Sequence, residues 1–135
     1  MECLIYHKAK QDALTDAEIK RLVRKILTRF KGLNKSLSIQ FVSERKIREL
    51  NRKYRGVDEV TDVLSFGLDG DDLGDIFICY PQIKKQARIY QVTVREEAAR
   101  MLTHGVLHLL GFEHRKKTEK QKMFLLQEEL IGKFL

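Results

Sequence analysis

Apolar residues recur every three to four positions from Ile19 through Leu22, Val23, Ile26 and Leu27 to Phe30, predicting an amphipathic helix with one buried face. Thr15 and Glu18 ahead of it have capping-box spacing, and Lys31-Gly32 ends it. Alternation replaces this period on either side. Leu4-Ile5-Tyr6 reads as a first strand, and Leu37, Ile39 and Phe41, separated by Ser38 and Gln40, read as a half-buried second one. Ser43 then caps a basic helix with Ile47, Leu50 and Tyr54 on its apolar side, ended by Arg55-Gly56. Val60 to Phe66 and Gly74 to Cys79 read as an antiparallel strand pair around the turn at 67–72, because the link is short. Pro81 suits the first turn of a third helix running to about Tyr90.

A second capping box, Thr93 with Glu96, opens a fourth helix through Ala98, Leu102, Val106 and Leu110; Thr118 with Gln121 opens a last one carrying Phe124, Leu125, Leu126 and Ile131. The order β-α-β-α-β-β-α-α-α implies an α+β fold: a single domain over residues 1–135, with a four-stranded mixed sheet covered by helices. Its two crossover units favour parallel pairing. At 135 residues and 43% hydrophobic content the chain can bury a real core, and no apolar run approaches the roughly 20 residues of a membrane span. The opening residues lack the basic and long apolar regions of a signal peptide, so the expected location is cytoplasmic. Cys3 and Cys79 lie far apart and are expected to be reduced thiols, neither metal ligands nor nucleophiles.

Net charge is +7, and the excess is clustered: residues 43–55 carry six Lys/Arg against two acids, whereas 58–75 carry seven acids and no base. Such clustering favours a polyanionic partner over evenly mixed charge, with solvated helix faces and an acidic loop as the plain alternative.

Three of the four histidines fall between His104 and His114, in H-x3-H-x2-G-x2-H spacing. Positions 104 and 108 share one helix face, roughly 6 Å apart along the axis, so their imidazoles can converge on one ion. Gly111 can take the left-handed conformation that ends the helix and returns His114 toward the other two. Three nitrogens on zinc leave the fourth position to water, as in hydrolytic centres, although a three-histidine site also accepts nickel, cobalt or copper. The spacing is that of metzincin peptidases, but the general-base Glu they carry after the first His is Gly105 here. A structural zinc, or three unliganded helix histidines, are the other readings.

A second constellation runs from Asn51 to Phe66, at a helix-to-strand passage. Arg55 is suited to grip a phosphate through planar, bidentate donors; otherwise it is a helix-terminal cation or an ion-pair partner of Asp58. Asp62 and Ser65 either hydrogen-bond at the strand end or contact substrate and ligands. Glu113 either orients water or a histidine, or is a surface carboxylate.

The two constellations together resemble the YbeY family of bacterial endoribonucleases. Tyr54-Arg-Gly-Val-Asp-Glu-Val-Thr-Asp-Val-Leu-Ser-Phe66, Leu73-Gly-Asp-Ile76 and His104 to His114 follow that family's Y-R-G-x-D-x-P-T-D-V-L-S-F, L-G-D-I and H-G-x-L-H-L-x-G-Y-D-H motifs in order and separation. The resemblance spans nearly the whole chain. It implies one zinc ion held by His104, His108 and His114 with water in the open position, and Arg55 as the basic residue on which RNA cleavage relies. It also implies a single-strand-type endoribonuclease acting in ribosomal RNA maturation and ribosome quality control, with ribosomal RNA, and ribosomal proteins with it, as partners. Two departures stand out: Val60 replaces Pro, leaving the loop behind Arg55 less restrained, and Phe112-Glu113 replace Tyr-Asp, removing a phenol hydroxyl.

On this reading Arg55 and the metal neutralise charge at the phosphate while a hydroxide or the RNA's own 2'-OH attacks. The basic helices, with Ser65, Arg115 and Lys116, are expected to hold the strand. A non-catalytic, zinc-stapled RNA-binding assembly factor and a peptidase-like hydrolase are the competing readings.

Overall fold

Thr15 caps the first helix as its sequence predicts: its side chain accepts from Glu18 N–H while the Glu18 carboxylate accepts from Thr15 N–H. A computed structural model describes residues 1–113 and 115–135, and within them the chain runs β1 (Glu2–His7), α1 (Asp16–Arg29), β2 (Ser36–Val42), α2 (Glu44–Arg55), β3 (Val63–Gly67), β4 (Asp72–Cys79), α3 (Tyr80–Tyr90), α4 (Val94–Leu109) and α5 (Lys117–Phe134). The expected element order and α+β class hold.

The sheet order is β1-β2-β4-β3, with β1, β2 and β4 mutually parallel and β3 antiparallel to β4. The first crossover gives the expected parallel neighbours, but the second sends β3 to the far edge and β4 fills the slot beside β2. Burial explains the choice. Leu73, Ile76, Ile78 and Cys79 of β4 are buried, whereas β3 buries only Leu64 and its other residues tolerate an edge. Gly74, at φ 133°, lets β4 approach so closely that a Cβ there would collide with the Phe66 carbonyl of β3.

Strand β3 begins at Val63 rather than Val60. Asp62 Oδ1 accepts the Val63 N–H at 2.7 Å where the strand starts, while Val60 packs against the small cluster of Val42, Ile47, Leu50, Leu64 and Cys79. Packing thus anchors the loop where the family motif has proline.

Helix α4 is the centre of the assembly, touching α1, α3, α5, β3 and β4, with Ala98, Ala99, Leu102, Val106 and Leu107 buried. Thr93 caps it by accepting from Glu96 N–H, but the second half of the expected box is replaced: Glu96 reaches Arg100 instead. Helix α5 starts at Lys117 with no side-chain cap, not at a Thr118 box. Its buried face is Met123, Gln127, Leu130, Ile131 and Phe134, leaving Phe124 and Leu125 exposed, because the 123-127-130-134 stripe has the period of one helix face and the expected set does not.

Candidate metal centre and cleft

His104 and His108 project from successive turns of α4, and their Nε2 atoms converge to 3.1 Å with the rings nearly perpendicular at 78°. Tetrahedral ligands at zinc–nitrogen bonds of about 2.0–2.1 Å sit roughly 3.3 Å apart, so this pair matches two corners of such a site. Buried Gln127 of α5, only 5% exposed, places its amide oxygen 3.1 Å from His104 Nδ1. An amide oxygen only accepts, so Nδ1 carries the proton and Nε2 keeps its lone pair toward the shared point. Sequence reasoning missed Gln127; its signal is a polar residue in the middle of the apolar stripe of α5.

The helix ends where expected. Gly111 is left-handed at φ 99°, Gly111 N–H donates to His108 O, and Phe112 N–H reaches back to Leu107 O. Phe112, in the place of the motif's tyrosine, stacks edge-on against Phe30 at 5.3 Å, tying the turn to the core. His114 lies outside the described residues, and among those described no group of three His, Cys, Asp or Glu side chains could hold a metal ion. His104 and His108 are the described residues whose geometry fits one.

A cleft of about 490 Å³ lies over this pair, lined among others by Arg55, Asp62, Ser65, His104, His108 and Glu113. Two segments far apart in sequence are therefore brought to one opening. Arg55, in the last turn of α2, donates to Asn51 Oδ1 at 3.3 Å, and Asn51, 2% exposed, in turn donates to Glu59 O at 3.0 Å. Asn51 opens the second constellation, but its role is not legible in the sequence: it moors both the arginine and the loop behind it. Asp58, considered as a partner for Arg55, is instead taken by Arg48 through two bonds of 2.9 and 3.3 Å, which hold its carboxyl below the ordinary range.

Ser65 Oγ donates to Gly105 O at 3.2 Å and so bolts β3 to the histidine helix. Asp62 spends Oδ1 on Val63 N–H and the Thr61 hydroxyl, the strand-end role. Glu113 is exposed in the cleft and pairs with Arg115 at 3.4 Å. Arg115 and Lys116 are exposed and do not line the cleft; Lys116 serves as the backbone N-cap of α5. Gly105 has a structural reason: a Cβ at this position would meet Ile76 Cγ2 at 3.0 Å and Ser65 Oγ at 3.2 Å. A glutamate there would have to enter packed sheet, so the peptidase base has no room.

Comparison with known proteins shows the family and the fold. The sequence model of the family Endoribonuclease YbeY matches residues 4–135. The Endoribonuclease YbeY of Persephonella marina is 41% identical, over 95% of this chain and 89% of its own length; that of Acholeplasma laidlawii is 45% identical, over 73% and 74%. The solution structure of TM1509 from Thermotoga maritima superposes with a TM-score of 0.65 at 29% identity, covering 98% of this chain and 91% of that one. The family match makes this α+β protein, with its histidine-bearing helix packed on a mixed sheet, a hydrolase of the nuclease class. The chain belongs to the Endoribonuclease YbeY family.

Proposed function

We propose that this protein is a zinc-dependent, single-strand-type endoribonuclease acting in ribosomal RNA maturation and ribosome quality control in the cytoplasm. The observation that carries the reading is the convergence of His104 Nε2 and His108 Nε2, 3.1 Å apart, in a cleft that Arg55 also lines. His114 is the proposed third ligand. When bound, zinc supplies Lewis acidity and a water that ionises near neutral pH.

The chain's own groups do the rest. Gln127 holds the His104 tautomer, and Asn51 holds Arg55 so that its remaining N–H groups can donate to a phosphate and offset charge developing there. Glu113 presents a carboxylate to the cleft, placed to orient water. Arg45, Arg52 and Lys53 extend the cationic surface of α2 along which the backbone of ribosomal RNA would run, and Arg115 and Lys116 add charge beyond Glu113. No helix of the described residues is long and apolar enough to cross a membrane.

The test is cleavage of structured ribosomal RNA, with casein as control, by the wild-type protein and by His108→Ala and Arg55→Ala, with the metal content of each preparation measured. RNA cleavage lost in both variants, with casein untouched, is the expected result; activity surviving both would overturn the assignment. A 2',3'-cyclic phosphate at the product ends would assign attack to the RNA's 2'-OH rather than to hydroxide.

A further inference from the structure

His104 borders a second cavity. A hollow of about 560 Å³ opens between α3, α4 and α5, and Asp62 and His104 line both it and the histidine cleft. Its walls are aromatic and thioether surface from Tyr90, Met101, Met123 and Phe124. Two of these are unusually open for their size: Tyr90 is 64% exposed and Phe124 is 54% exposed.

The charge in the hollow argues against a phosphate. Arg100, its deepest cation, is already clasped by Glu128 through two bonds of 2.9 Å, by Glu97 at 2.8 Å and by Glu96 at 3.2 Å. Glu97 and Glu128 of that clasp line the hollow together with a further carboxylate, Asp62, and Lys120 is the other Lys/Arg side chain in the lining among the described residues. Such a wall repels a phosphodiester and accepts a neutral, flat, polarisable group. In the cleft next door the cation is Arg55, whose side-chain partner is the neutral Asn51, although Asp62 and Glu113 also line it. One strand can satisfy both, with its phosphate at the histidines and a neighbouring base turned across His104.

We propose that the hollow between α3, α4 and α5 is a subsite for one unpaired nucleobase of the RNA strand whose phosphate lies over His104 and His108, stacked against Phe124 and Tyr90. The proposal rests on the nuclease reading above. It also accounts for action on single strands, since a paired base cannot turn into a side cavity.

The test uses the metal-loaded protein and a 5'-labelled single-stranded oligoribonucleotide, compared with copies carrying one abasic residue at each position in turn. An abasic residue at one fixed offset from the cut should raise KM about tenfold, the scale of one lost base–aromatic stack. Phe124→Ala and Tyr90→Ala should raise KM on the intact strand and add little on that abasic strand. A flat abasic scan, or losses that simply add, would overturn the subsite while leaving the nuclease reading intact. Failure of the nuclease reading would appear separately, as cleavage indifferent to His108→Ala. Binding decides the subsite even then, because the chain has no tryptophan and Phe124→Trp introduces a single reporter. Its fluorescence should be quenched by the intact oligomer and not by a wholly abasic one of equal length. Equal quenching by both, or none, would exclude a base in the hollow.

Discussion

Gln127 Oε1 and His104 Nδ1 meet at 3.1 Å across the contact between α5 and α4, so the last helix of the chain sets the tautomer of the first histidine of the motif. Outer hydrogen bonds of this kind typically change metal affinity by about 10–100-fold when removed. Gln127→Ala should therefore weaken zinc binding by at least about tenfold in competition with a chromophoric chelator. Gln127→Glu, which keeps an acceptor, should retain most of the affinity. Equal affinities for wild type and Gln127→Ala would show that the contact only fills space.

Gly105 bears on stability. Alanine gains about 1 kcal/mol over glycine inside a helix, but overpacking a filled core costs about 1–3 kcal/mol. Ile76 is fully buried and Ser65 is tied to Gly105 O, so neither neighbour of the added Cβ can easily withdraw. Gly105→Ala should lose about 1 kcal/mol net in urea unfolding, the overpacking cost outweighing the helix gain. Gly105→Glu should be much less stable and gain no activity on casein. A stabilised Gly105→Ala would mean that α4 can shift off the sheet.

Where cap and stripe agree, the sequence alone locates the element: Thr15 with Glu18, and Ile19 to Leu27, specify α1 without tertiary help. Thr93 and Glu96 have the same spacing, yet Glu96 bonds Arg100, a competitor one turn further along that no local pattern reveals. Strand order was hidden for a related reason. The exchange of β3 and β4 follows from relative burial across the whole sheet, not from the length of the α2 crossover. At the site, His104 and His108 were legible because a helix fixes their convergence from spacing alone. The co-location of Arg55 became legible through family motifs. Gln127, in another helix 23 residues beyond His104, and Asn51, a polar residue buried beneath Arg55, depend on tertiary contacts that periodicity does not encode.

Cys3 supplies a pH signature away from the cleft. It is 7% exposed, and burial pushes its thiol up from 9.0 to about 11. A raised pKa means the folded state favours the neutral thiol, so this stability is fully present below the ordinary thiol value. It is lost as pH rises toward 11. Burial pushes Cys79 the same way. Between pH 8 and 11 the wild type should lose up to about 2 kcal/mol more than Cys3→Ala, measured by urea unfolding at each pH. Parallel stability curves for the two proteins would show that the thiol is solvated in the native state.

Asn51 should act on RNA cleavage through Arg55. Its side chain accepts from Arg55 Nη1 at 3.3 Å and donates to Glu59 O at 3.0 Å, so Asn51→Ala both releases the guanidinium and unties the loop at Glu59. The lost bond should cost about 0.5–1.5 kcal/mol of folding stability, because Glu59 is exposed and water can take its carbonyl. Loss of a preorganised donor to transition-state charge is worth on the order of 10²–10³ in kcat, the drop expected for Arg55→Ala. Arg55→Lys should recover little of it, because one ammonium cannot reproduce a planar fork. Asn51→Ala should cost about tenfold in kcat, a part of the preorganisation effect, with KM and metal content nearly unchanged. The double variant should then be no slower than Arg55→Ala alone, because Asn51 has nothing left to position. A double variant showing the product of the two single losses would instead give Asn51 its own contact with the strand.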